Sequence, residues 1–230
     1  MHDHQEGSHG PTCCGVSSRK GKTKLGTLWY ELLAHLPYTI FSVAAGLIIL
    51  GFLTFGASLV GQAENKEAFS ELFHIFHPIH LLLSAVATTA MFYRHEPSWI
   101  KAAIVGSVGA VVVCSLSDIL VPYAAGYLLG ADMHFHLCIL EHESSHFFII
   151  VGVIVGLAMP RSSHSSTLLS HSYHVFVSSM ASILYLVGYG LNDWTHVIGA
   201  IFIYMVVAVI LPCCTSDIAL PLLLVKKRRY

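Results

Sequence analysis

A chain of 230 residues that is 55% apolar and only 11% charged, with a mean hydropathy of +0.69, holds more hydrocarbon than one water-soluble core can hide. The composition predicts a polytopic membrane protein whose first partner is the lipid bilayer. A formal net charge of −1, with no interleaving of basic and aromatic residues, argues against any nucleic-acid partner.

Residues 1–27 form a polar tail carrying His2, His4, His9, Cys13 and Cys14. Short His- and Cys-rich tails bind soft divalent metals, and the same composition also occurs in tails with no ligand. The polar opening, and an apolar run too long for a signal peptide, predict no cleavable leader. Apolar runs then follow at 28–60, 73–93, 102–129, 146–159, 168–191 and 196–225, the fourth short and the last interrupted. They predict an all-α membrane protein with six transmembrane helices. A basic stretch, 226–230, closes the chain.

Basic residues mark the cytoplasmic side of membrane proteins. Arg19, Lys20, Lys22 and Lys24 precede the first run, Arg94 and Lys101 separate the second from the third, Arg161 follows the fourth, and Lys226, Lys227, Arg228 and Arg229 follow the sixth. With both termini cytoplasmic, only Lys66 falls outside, which predicts an integral protein of the plasma (inner) membrane. The six cysteines fall mostly on the reducing side or within spans, so no disulfide framework is expected.

The chain also repeats itself. "CSLSDILVP" from Cys114 recurs 99 residues later as "CCTSDIALP" from Cys213, and "HPIH" with Ser84 beyond it recurs 94 residues later as "HSYH" with Ser178 beyond it. "HLPYTIFSVAAGL" after His35 resembles "HFFIIVGVIVGL" after His146 more weakly. Each half, 28–130 and 131–225, would then hold three spans, and an odd unit repeated in tandem must face the opposite way the second time. Two inverted-topology three-helix repeats are therefore expected, an arrangement common in transporters; a duplication kept only for packing is the plainer reading.

Asp118 and Asp217 lie within apolar runs, where an ionised carboxylate costs about 2.5–3.5 kcal/mol. Each follows a Ser, Ser117 or Ser216, and precedes Pro122 or Pro221 by four residues. Ser-Asp is good capping chemistry and Pro removes a helical hydrogen bond, so broken third helices are expected, with each Asp either a cap or a cation ligand. The paired histidines, His77 with His80 and His171 with His174, share a helix face at i, i+3 spacing, and His74 continues that series. Imidazole, carboxylate and thiol donors together suit first-row transition metals, zinc best among them, rather than Mg or Ca.

"HESSH", 142–146, fits the H-E-x-x-H pattern of zinc metalloproteases, with His142 and His146 as ligands and Glu143 as general base. Its place at the outer start of the fourth run, and its absence from the matching position beside His35, favour reading it with Glu141, His134 and His136 as an outer vestibule. A third protease ligand would have to be Asp193. No nucleotide-binding loop is present.

Together these features predict a small transporter or channel for a divalent transition-metal cation or related ion, as a monomer or homodimer. Its metal-handling residues would be His77, His80, Asp118, His142, His146, His171, His174 and Asp217, with Ser84, Cys114, Ser117, Ser178, Cys213 and Ser216 along the pathway. The alternatives are an intramembrane zinc metalloprotease using Glu143 and a non-transporting metal sensor.

Overall fold

The computed structural model describes residues 24–59, 66–138, 143–159 and 167–214, and every regular element among them is helical. The helices are α1 (Lys24–Leu59), α2 (Lys66–His95), α3 (Trp99–Ser115), α4 (Val121–Leu128), α5 (Glu143–Ala158), α6 (Thr167–Gly188) and α7 (Ile198–Cys214), with a 3₁₀ turn at Thr195–Val197. Three stretches are long and apolar enough to cross a bilayer: Leu32–Leu59, Lys66–His95 and Trp99–Leu128. Ser144–Ala158, Ser172–Gly188 and Thr195–Ile210 are apolar but shorter. The six expected runs thus correspond to three long and three short helices.

Local chemistry sets the ends. Glu67 lies in the first turn of α2 and Arg94 and His95 in its last, each opposite in sign to the helix terminus it faces. α4 ends at Leu128, and the chain reverses through Gly130, whose φ of 81° is open to glycine and strained for other residues.

Helices α2 and α6 form the centre. α2 packs on α3, α5 and α6, while α1 packs on α6 and α7. Exchanging α1 with α5, α2 with α6 and α3 with α7 returns the same set of neighbours, since α5 packs on α2 and α3. Glycines give the detail. A β-carbon on Gly156 would lie 2.8 Å from both Thr89 Cβ and the Val86 carbonyl, and one on Gly46 would lie 2.9 Å from Ile183 and 3.4 Å from Met180. Thr89 and Ile183, and Val86 and Met180, are each 94 residues apart, the spacing of the two H-x-x-H pairs. The two glycines therefore meet matching positions on opposite members of the central pair.

Helix directions follow from the same contacts. Gly152 approaches Leu82 and Ala85 while Gly156 approaches Val86 and Thr89, so α5 and α2 run parallel. Gly188, at the end of α6, meets Phe69 and Ser70 near the start of α2, whereas His174 meets His80, so α2 and α6 run antiparallel. Gly152 and Gly156 form a G-x-x-x-G stripe; small residues allow the close approach on which helix association relies when apolar burial supplies no driving force.

The largest apolar cluster joins Met180, Ile183, Leu184 and Leu186 of α6 to Val43, Leu47 and Leu50 of α1, Phe69 and Phe73 of α2, and Ile201 and Met205 of α7. A second joins Leu81 and Ala85 to Ala110, Cys114, Ile149 and Val153.

The break expected at Asp118 is instead a widened turn. Residues Leu116–Leu120 form a π-helical turn, with Val121 N–H donating to the Leu116 carbonyl five residues back, and the chain stays right-handed helical from α3 into α4. Neither Ser115 nor Leu120 makes a side-chain cap. Pro122 lies in the first turn of α4, and its missing N–H leaves upstream carbonyls short of a donor. That of Ser117 lies 3.0 Å from the Ser182 hydroxyl on α6. The corresponding segment after Cys214, with Ser216, Asp217 and Pro221, lies outside the described residues.

Candidate functional site

The π turn projects Asp118 into the centre of the bundle, where its side chain is fully buried. Widened turns inside α-helices recur at functional sites because they turn a side chain out of the helical register. Across from it, the i, i+3 spacing of α2 puts His77 and His80 on one face, both with zero exposure. His77 Nδ1 lies 2.8 Å and His80 Nδ1 2.7 Å from the same oxygen, Asp118 Oδ2. The other oxygen, Oδ1, accepts from Ser117 Oγ at 2.6 Å and is 3.4 Å from Ser178 Oγ of α6.

This geometry fixes the protons. A carboxylate only accepts, so both histidines carry hydrogen on Nδ1, and a neutral ring then presents its lone pair at Nε2. Both Nε2 atoms are buried, and neither makes a hydrogen bond among the described residues. His174 of α6 stands beside them, its ring centroid 4.9 Å from that of His80 at an interplanar angle of 57°. Phe73 stacks on His77 at 5.1 Å and closes the opposite side. Among the described residues no Lys or Arg pairs with Asp118, so the negative charge is met only by imidazoles.

The structure brings His77, His80, Asp118, Ser117, Ser178 and His174 together. Ser84 is buried on α2, its hydroxyl without a hydrogen bond among the described residues. Cys114 sits one turn before the site within the apolar cluster around Leu81 and Ile149, and its carbonyl is 3.3 Å from Ser117 Oγ. His146 is exposed on α5. His142, Ser216 and Asp217, and the side chains of Glu143, His171 and Cys213, lie outside the described residues. No group of three or more His, Cys, Asp or Glu side chains is closed around a metal position among the described residues.

A second polar cluster lies where α2 begins and α6 ends, and it joins His74 of the α2 series and His136 of the expected vestibule to Cys138, Tyr185 and Tyr189, which the sequence did not mark. His74 Nδ1 is 3.5 Å from the buried Cys138 Sγ, and His74 Nε2 is 3.1 Å from Tyr189 OH. His136 stacks on Tyr189 at 4.9 Å and meets His74 edge-on at 5.1 Å. Tyr185 stacks under Tyr189 at 4.7 Å and accepts the His136 backbone N–H at 3.1 Å. The i, i+4 spacing of Tyr185 and Tyr189 was a readable signal; the partnership with Cys138 was not. Ser182, which ties α6 to the π turn, was likewise unmarked except by its i, i+4 relation to Ser178.

Fold and site define an all-helical bundle with a buried imidazole–carboxylate centre at a π turn. Comparison with protein-family models, curated proteins and solved structures finds no match to this chain.

Proposed function

We propose that the chain is an integral membrane protein of two inverted three-helix repeats that binds and moves a divalent transition-metal cation, with zinc the best fit to its donors. The observation that carries this is the pair of buried Nε2 lone pairs, aimed by a shared carboxylate. Metal-bound histidines characteristically donate their other N–H to a carboxylate, which fixes tautomer and ring orientation. Asp118 has that relation to His77 and His80 at once. Its two oxygens already face two N–H and two O–H groups, which fills its accepting capacity. Asp118 thus serves to hold ligands rather than to be one.

Charge balance supports a cation. Two neutral imidazoles leave a buried carboxylate uncompensated, a costly state in an apolar surround. A proton on either ring would supply the charge but leave a buried N–H without an acceptor, whereas a metal ion at Nε2 answers both needs. His174 is the nearest further imidazole, and imidazole donors suit Zn, Cu, Fe and Ni better than Mg or Ca.

The inverted-repeat reading is supported by the exchangeable neighbour set, the antiparallel central pair and the matched contacts of Gly46 and Gly156. A two-fold axis relating antiparallel helices lies across them, as in transporters that alternate between two openings. Cytoplasmic termini are supported by the basic residues that flank the chain.

Purified full-length protein in lipid nanodiscs should retain a transition metal, and X-ray absorption of its zinc form should show imidazole scattering. Proteoliposomes should move labelled zinc down an imposed gradient. Protein that binds none of the first-row divalent cations overturns the metal reading; protein that binds zinc but carries no flux reduces it to a sensor.

A further inference from the structure

We propose a second transition-metal site, distinct from the buried centre, in which Cys138 and His74 are the first two ligands and His136 the third. It lies at the end of the bundle where α2 starts and α6 finishes. It rests on the function proposed above only for the class of cation, since its donors come from the 131–138 segment and the first turns of α2.

Three observations carry it. The first is donor spacing. A tetrahedral ion with metal–sulfur and metal–nitrogen bonds of about 2.3 and 2.05 Å holds those atoms about 3.6 Å apart. Cys138 Sγ and His74 Nδ1 are 3.5 Å apart, so a metal can replace the thiol proton with little movement of either side chain. The second is orientation. Tyr189 OH at 3.1 Å engages His74 Nε2 and leaves Nδ1 as the nitrogen facing sulfur, the outer-shell arrangement that holds ligating histidines elsewhere. The third is the ring environment. His136 is stacked on Tyr189 and meets His74 edge-on with ring centroids 5.1 Å apart, which places a further imidazole beside the pair.

The site is of a different kind from the buried one. A thiolate and imidazoles favour Zn and its neighbours in the first-row series over harder cations, and binding releases the Cys138 proton to solvent. Its place is also telling. His74, His77 and His80 stand at successive i, i+3 steps of α2, each a rise of about 4.5 Å. A cation held at His74 is therefore about one helical turn from the buried pair, with the Phe73 ring packed against both His74 and His77.

The test is cobalt(II), which replaces zinc and reports each ligand type. Full-length protein carrying Cys13→Ser, Cys14→Ser, Cys114→Ser, Cys213→Ser and Cys214→Ser, so that Cys138 is the remaining thiol, is titrated with cobalt(II) and followed by absorption. Two classes of bound ion are expected, one with a thiolate-to-metal band in the near ultraviolet. Cys138→Ser should abolish that band and one equivalent of binding, and His74→Gln should do the same. His80→Gln should remove the other equivalent and keep the band. A band that survives Cys138→Ser, or one lost in Cys138→Ser yet untouched in His74→Gln, overturns the site. If His80→Gln removes nothing while the band behaves as stated, the buried centre fails and this site stands. Tyr189→Phe guards against misfolding, because it keeps the stacked ring and deletes only the hydroxyl. It should weaken cobalt at the thiolate site at least tenfold with the band restored at saturation, and unchanged affinity there overturns the orienting role of Tyr189.

Discussion

His80 and His174 face each other with ring centroids 4.9 Å apart, and they stand 94 residues apart in the chain, the offset that relates "HPIH" to "HSYH". Two matched residues touch only where the relating axis passes between them. Under the repeat arrangement proposed above, that axis passes between His80 and His174, beside the polar centre.

The first expectation concerns Asp118. Asn keeps the shape but places an amide N–H where one of the two imidazole N–H groups or a serine hydroxyl needs an acceptor. Loss of an outer-shell carboxylate typically costs ten- to a hundredfold in metal affinity. Competition of Asp118→Asn protein against a zinc chelator should show a decrease of that size, and wild-type affinity would remove Asp118 from the site.

His77→Gln and His80→Gln should each bring zinc flux in proteoliposomes to background, because each deletes a donor at Nε2. Glu143→Gln should change apparent affinity tenfold or less, about 1.4 kcal/mol. A hydrolytic enzyme using "HESSH" requires the opposite order, with Glu143→Gln inactive and the two histidine variants active.

The glycine contacts give a stability test with its own control. Valine at Gly152 meets the Leu82 carbonyl, 2.6 Å from where its β-carbon would lie, and backbone cannot step aside. Overpacking of this kind costs about 1–3 kcal/mol, so Gly152→Val should lower the unfolding midpoint in detergent. Gly56 has nothing within 4 Å, and Gly56→Ala should be neutral or add up to about 1 kcal/mol through helix propensity. Equal midpoints for the two variants would contradict the close packing of α5 on α2.

The antiparallel course of α2 and α6 can be locked chemically. A β-carbon on Gly188 would lie 2.9 Å from the Ser70 backbone nitrogen and 3.2 Å from its Cα, so the two positions are in backbone contact and a bridge between them needs the helix ends to part slightly. Ser70→Cys with Gly188→Cys should form a disulfide under diamide, seen as a mobility change reversed by reductant. Ser70→Cys with Gly46→Cys should not, and the reverse result would exclude the helix arrangement.

The elements and half of the centre were legible in the sequence, for definite physical reasons. Hydropathy located each long apolar helix among the described residues, because apolar length needs no partner to be recognised. His77 and His80 could be paired at i, i+3 spacing, and Asp118 stood out as a charge in an apolar run. Their meeting was not legible, since it depends on how α3 lies against α2. The turn at Asp118 was misread for a related reason. Ser, Asp and Pro are the residues of a cap, and only the packing of Ser182 against the Ser117 carbonyl shows how a helix can pass Pro122 without ending. The His74–Cys138 pair joins residues 64 apart in the chain, with no periodicity to connect them.

The division of labour between inner and outer helices has a practical consequence. α6 is buried along nearly all of 174–187, whereas Phe41, Phe52 and Phe55 of α1, Ile104, Val108 and Val112 of α3, Phe147, Ile150 and Ile154 of α5, and Ile203 and Val207 of α7 lie exposed. The arrangement is that of a polar core in a sleeve, with polar groups along the inner pair and hydrocarbon around it. Substitutions among those outer side chains therefore act on solubility in lipid and detergent while the buried imidazole–carboxylate centre stays insulated from them. An engineered form with a polar sleeve could carry the same core into water.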